Sequence, residues 1–168
     1  MFYALSALVF IYPALVILGG VYDLMTMRIP NWISIALIVA FVPVALVVGL
    51  TWQETAMALG LAGLALIVGI ALFAFRLLGG GDAKILAAST AWVGLSGLLP
   101  FLLITAVAGG ALSLLLLLAR KWVVLLPLSM PSWLERLTTP KGDVPYGVAI
   151  AIGAVLAFPY SQILLKLS

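Results

Sequence analysis

Two aspartates stand where acids are rare. Asp82 follows Gly79-Gly80-Gly81 between two long apolar stretches, and Asp23 closes the first apolar stretch, just ahead of Arg28-Ile29-Pro30-Asn31. The chain is 66% hydrophobic and 8% charged, and an ionisable group at membrane depth is costly enough to point to function. Two carboxyls brought together resist ionising at once and hold one proton between them. That is the minimal equipment for aspartyl hydrolysis of an amide. The ionised partner takes a proton from water while the protonated one hydrogen-bonds the carbonyl oxygen.

The rest of the composition removes other chemistries. Neither cysteine nor histidine occurs in the 168 residues, which excludes thiol nucleophiles, disulfides, thiolate zinc sites and histidine triads. Without those ligands a transition-metal site has no good donors, and neither metal nor cofactor is expected. The net charge of +3 comes from few residues, a poor basis for nucleic-acid binding. The Lys and Arg residues suit anionic lipid headgroups at a cytoplasmic surface instead, so membrane lipids are the expected partners.

For the two acids to meet, the apolar stretches must bring them to one face of a membrane. A mean hydropathy of +1.36 with repeated stretches near spanning length predicts one all-α, polytopic membrane domain. Six transmembrane helices account for the pattern, over residues 3–24, 31–50, 55–78, 82–96, 98–119 and 145–165. Met1-Phe2-Tyr3 carries no Lys or Arg ahead of its apolar run. It lacks the basic lead of a cleaved signal peptide and reads as the start of the first span. The stretch from Arg120 to Val144, with Pro127, Pro131, Pro140, Trp122, Trp133 and Leu134, predicts a segment lying in the interface. Pro43, Pro100 and Pro159 are expected to kink or start helices. Ala56, Gly60, Gly63, Gly109 and Gly110 are expected to let helices approach closely.

Counting cations sets the orientation. Arg28, Arg76, Lys84, Arg120, Lys121, Arg136 and Lys141 fall on one side of a six-span path, and Lys166 alone on the other. The positive-inside rule puts the first group in the cytoplasm and both termini outside. Asp23 and Asp82 then share the cytoplasmic face, while Glu54 falls on the opposite one and drops out.

Each residue also has a plainer explanation. Asp82 could be a helix N-cap, and Asp23 could pair with Arg28 among headgroups. The glycines could end the third helix, or leave bare backbone that a substrate strand can approach. Lys84 suits snorkelling, and Asn31 suits a cap or a support for Asp23. Asp143 is the rival second acid, its flanks reading as a cap at the last helix. A Ser–Lys pair of Lys84 with Ser89 is poorly spaced on one helix. The rival function of another class is a proton- or ion-coupled transporter using Asp23 and Asp82; six spans without a repeat weigh against it.

Gly79-x-Gly81-Asp82-x-Lys84 resembles the second catalytic motif of the prepilin peptidases, the type IV leader peptidases among the GxGD-type intramembrane aspartyl proteases. Asp23 with Arg28-Ile29-Pro30-Asn31 resembles that family's first aspartate and its downstream signature. Val144-Pro145-Tyr146-Gly147 resembles the proline-glycine element ahead of its last helix. The likeness spans nearly the whole chain. It implies Asp23 and Asp82 as catalytic, with Gly79, Gly81, Lys84, Arg28, Ile29, Pro30, Asn31, Pro145 and Gly147 in support. It further implies a multi-pass protein of the bacterial inner membrane that cleaves prepilins or pseudopilins at the cytoplasmic face. The cut falls after the terminal glycine of a short basic leader, ahead of the hydrophobic pilin helix. Docking of that helix among the spans is the expected source of binding energy. Full-length members carry an N-terminal methyltransferase region, often with paired cysteines. This chain begins in a span and has no cysteine, so it resembles the short peptidase-only form of the Flp, or tight-adherence, pilus type. N-methylation is not expected of it.

Overall fold

Local signals set several helix ends. Thr51 opens a long helix with a reciprocal capping box. Its Oγ1 accepts from the Glu54 N–H at 3.2 Å while the Glu54 carboxylate accepts from the Thr51 N–H at 2.7 Å, which satisfies two donors that the first turn leaves free. In the computed structural model, which describes residues 8–123, 131–139 and 142–167, the elements are all helical. They are α1 (Ile11–Thr26), α2 (Asn31–Val48), α3 (Trp52–Ala74), α4 (Gly80–Val123), α5 (Ser132–Thr138), α6 (Tyr146–Ala157), a 3-10 turn (Phe158–Tyr160) and α7 (Gln162–Leu167). Among the described residues there is no strand.

These helices are apolar on nearly every side. Four stretches, Asn31–Val48, Trp52–Ala74, Gly80–Trp122 and Tyr146–Leu167, are long and apolar enough to cross a membrane, and Ile11–Thr26 is a shorter apolar helix. Side chains such as Val39, Ile67, Leu103 and Leu115 are more than half exposed. Helices of this kind are stable where lipid covers them. The chain is a multi-pass, all-helical membrane protein.

α4 is two antiparallel arms joined at Gly94. Gly94 has φ 63° and ψ −169°, a conformation essentially restricted to glycine, and a Cβ there would run into Gln162. At one end of the bundle Asp82 lines a cavity with Asp23 and Tyr146. The first arm then descends to Trp92, which stacks on Tyr12 with ring centroids 5.1 Å apart. The second arm starts beside Tyr160 at Gly97 and returns to Tyr146 at Gly109. The path therefore makes six passes, as expected, but the break falls at Gly94 and not between Ser96 and Leu98. Nothing local distinguishes Gly94 from Gly97; the space beside Gln162 does.

The first arm, residues 80–93, is about 21 Å long at 1.5 Å per residue, short of the roughly 30 Å hydrocarbon core. It is also the centre of the bundle: Ile85, Ala88, Ala91, Trp92 and Val93 are all buried. The irregular backbone at Gly94 is tolerated because it is buried in protein. An aromatic cluster of Tyr12, Phe41, Trp92 and Phe158 fixes its far end, and Trp92 Nε1 donates to the Leu37 carbonyl at 2.9 Å.

Other expectations need correcting. The third span ends at Ala74, and the glycines open α4 instead of stopping α3. The last span is not continuous: Pro159, as expected of it, interrupts the helix, giving α6, the 3-10 turn and α7. Gly60, Gly63 and Gly110 have nothing within 4 Å of a built Cβ, so of the expected contact glycines only Gly109 meets a neighbour, Tyr146. The close approaches lie at Gly20, Gly69, Gly147 and Gly153. In the expected interfacial stretch, α5 is the described helix. Pro127, Pro140 and Lys141, like the expected start of the first span, lie outside the described residues.

Candidate functional site

Asp23 sits in the last turn of α1. Its carbonyl accepts from the Met27 N–H at 2.8 Å, and Met27 takes a left-handed φ of 55° to end the helix. The side chain is buried. Its Oδ2 accepts from the Gly147 N–H at 2.7 Å. Pro145 precedes α6 and Gly147 lies in its first turn, where backbone N–H groups have no partner within the helix. Asp23 lies at the C-terminal end of its own helix, where the helix dipole disfavours a negative charge. The fold answers by turning the N-terminus of another helix toward it.

Asp82 is the third residue of α4, not its cap. The Gly79 N–H donates to its carboxyl, and its Oδ1 is buried with no hydrogen-bond partner. Contacts account for Gly79 and Gly81, and all three glycines also border a cavity beside both aspartates, where their bare backbone lies open. A Cβ at Gly79 would sit 2.5 Å from Asp82 Oδ2, and one at Gly81 would sit 3.1 Å from Ile29 Cβ. Neither glycine has a positive φ. Ile29 is thus a wedge: it lies against Gly81 at the start of α4 and, through Cδ1, 2.8 Å from a Cβ built on Gly147.

The two aspartates line one cavity of about 780 Å³, with Gly79, Arg76, Asp143 and Tyr146 among its walls. A second cavity of about 270 Å³ also lies against both, beside Arg28, Ile29 and Gly81. Among the described residues the two non-glycine positions with positive φ are Met27 and Arg76, and both border the larger cavity. Such strained positions concentrate where surrounding structure holds them for a purpose.

Several sequence expectations change. Asn31 neither caps α2 nor reaches Asp23; its Oδ1 accepts from Lys84 Nζ at 2.8 Å, so Lys84 is tied down and not snorkelling freely. The sole ion pair among the described residues is Lys166–Glu54 at 3.1 Å. Arg28 therefore does not pair with Asp23, and Glu54 serves a cap at the far end of the bundle. Asp143 does not cap α6, whose first turn has no side-chain cap, and it borders the cavity instead.

Arg120 was missed as anything but a cation. It is buried, and it donates from Nε to the Leu137 carbonyl and from an Nη to the Asp143 carbonyl, both at 2.8 Å. It ties Leu137 of α5 and Asp143, which borders the cavity, to the end of α4. An arginine directly before Lys121 at the end of an apolar run gives no local sign of this.

A family model described as the type IV leader peptidase family matches residues 10–114. That range contains both aspartates and ends before α6. Comparisons with curated proteins and with solved structures gave no match.

Proposed function

This chain belongs to the type IV leader peptidase family, and from that premise we propose that it is a membrane-embedded aspartic endopeptidase with Asp23 and Asp82 as its catalytic pair. The supporting observation is that both carboxyls border one cavity and each faces a backbone N–H at the start of a helix. Water attacks the scissile carbonyl, and one carboxylate takes its proton. The other carboxyl, protonated, bonds the carbonyl oxygen and passes its proton to the leaving amine. Gly79, Gly81, Ile29, Pro145 and Gly147 act by position. They keep the carboxyls in place, Gly147 and Gly79 by donating a backbone N–H to Asp23 and to Asp82.

The substrates are prepilins or pseudopilins carrying a short leader and an apolar helix, cut at the cytoplasmic face of the bacterial inner membrane. The charge distribution supports that side. Arg28, Arg76, Lys84, Arg120, Lys121 and Arg136 gather at the aspartate end, and Lys166, paired with Glu54, at the other. The Flp-type assignment rests on the sequence resemblance. Mass spectrometry of a prepilin from the same genome, incubated with the purified protein in lipid, tests the reading. The expected product is a single cut just ahead of the apolar helix, and an uncut precursor would refute it.

A further inference from the structure

Helices α2 and α3 are joined only by Gly49, Leu50 and Thr51. Helices with so short a connection ordinarily pack along one another. These do not. Each packs on α4 and they barely touch each other, which leaves a groove of about 800 Å³ open between them. Ile35 and Val39 form one wall, Leu66 and Ile70 the other, and Ala83 and Ala88 of α4 lie along the floor. Ile35, Val39 and Ile70 are 62%, 66% and 56% exposed, so none of the described residues fills the gap.

The groove leads to the aspartates. Phe73 borders both it and the larger aspartate cavity, and Gly80 borders both it and the smaller one. A rival apolar groove of about 390 Å³ between α1 and α6, beside Val21 and Ile152, has no lining residue in common with either aspartate cavity. Continuity with the site therefore selects the first.

We propose that the groove between α2 and α3 seats the apolar membrane-spanning segment of the substrate, which enters sideways from the bilayer and presents the peptide bond at its end to Asp23 and Asp82 past Gly80. This rests on the peptidase reading above. Moving an apolar segment from lipid to protein gains no hydrophobic energy, so its binding depends on close packing over small residues; Gly80, Ala83 and Ala88 supply them. Where the segment unwinds for cleavage its backbone needs polar partners and shelter from lipid. The hydrogen-bonded pair Lys84–Asn31 stands at that end of the groove.

The test places photoreactive benzoylphenylalanine at Val39 or Ile70, or at Val21 or Ile152, in the whole membrane protein carrying Asp82→Asn to keep the precursor intact. The probe is the prepilin of the same genome with its leader attached. Cross-links from Val39 and Ile70, with none from Val21 and Ile152, are expected. If the wild-type protein cleaves the prepilin but Val39 and Ile70 give no cross-link, the docking is wrong and lipid fills the groove. Cross-links from Val21 or Ile152 alone put the substrate on the other side. If the wild-type protein leaves the prepilin uncut, the substrate reading falls, and the docking with it. Independently, Ile70→Trp should slow cleavage by about tenfold or more while Ile152→Trp stays within about twofold. Equal rates for the two would contradict the proposal.

Discussion

The Gly147 N–H donates to the Asp23 carboxylate at 2.7 Å, across 124 positions of sequence. A Cβ at Gly147 would meet Asp23 Oδ2 and Asp23 Cβ at 2.9 Å and Ile29 Cδ1 at 2.8 Å. Gly147→Ala should therefore shift the Asp23 carboxyl. A displacement of roughly 1 Å at a reacting group can cost on the order of a hundredfold in rate. Peptide-cleavage assays on the membrane-inserted variant check this, with Gly153→Ala as the control. That change strikes Thr105 away from the cavity and should lower thermal stability while leaving the rate of the folded fraction near wild type.

Gly81 and Ile29 form a second tight pair, with a Cβ at Gly81 only 3.1 Å from Ile29 Cβ. Gly81→Ala should reduce cleavage, and Ile29→Ala made in the same protein should restore part of it. The double-mutant cycle is the measurement, and a coupling of about 0.5–3 kcal/mol is expected for residues in contact. Additive losses would mean that Gly81 matters for some other reason.

Gly94 carries the reversal between the arms of α4. Gly94→Ala forces a side chain into a glycine-only conformation and against Gln162. It should destabilise the protein by about 1–3 kcal/mol, seen as a lower unfolding temperature in detergent. Gly97→Ala, whose φ is not positive, should cost less.

The hydropathy pattern made the helical class and the six passes legible, because apolar length is a property of each stretch alone. Span parity likewise carried the expectation that Asp23 and Asp82 share one end. The exact reversal point was not legible, since Gly94 and Gly97 look alike until Gln162 arrives from the far end of the chain. Lys84 and Asn31 find each other 53 positions apart, and no local rule pairs them. Gly147 was expected in support only through the family resemblance, and the clasp of Arg120 on Asp143 not at all; each bond joins a side chain to distant backbone through tertiary packing.

Orientation has a direct check, made clean by the lack of native cysteine. Single cysteines at Thr26 and Gly142 should react with a membrane-impermeant maleimide only from the cytoplasm, and one at Gln53 only from outside. Labelling of Thr26 from outside would overturn the proposed cytoplasmic access of the leader.

The central claim is that Asp23 and Asp82 act as one unit while Asp143, on the same cavity wall, does not. The most direct measurement is prepilin cleavage by Asp23→Asn, Asp82→Asn, their double variant and Asp143→Asn, each at matched membrane levels. Either single change should abolish cleavage, the double should be no worse than either, and Asp143→Asn should keep substantial activity. Near-wild-type processing by Asp23→Asn or Asp82→Asn, or a dead Asp143→Asn, would contradict the account.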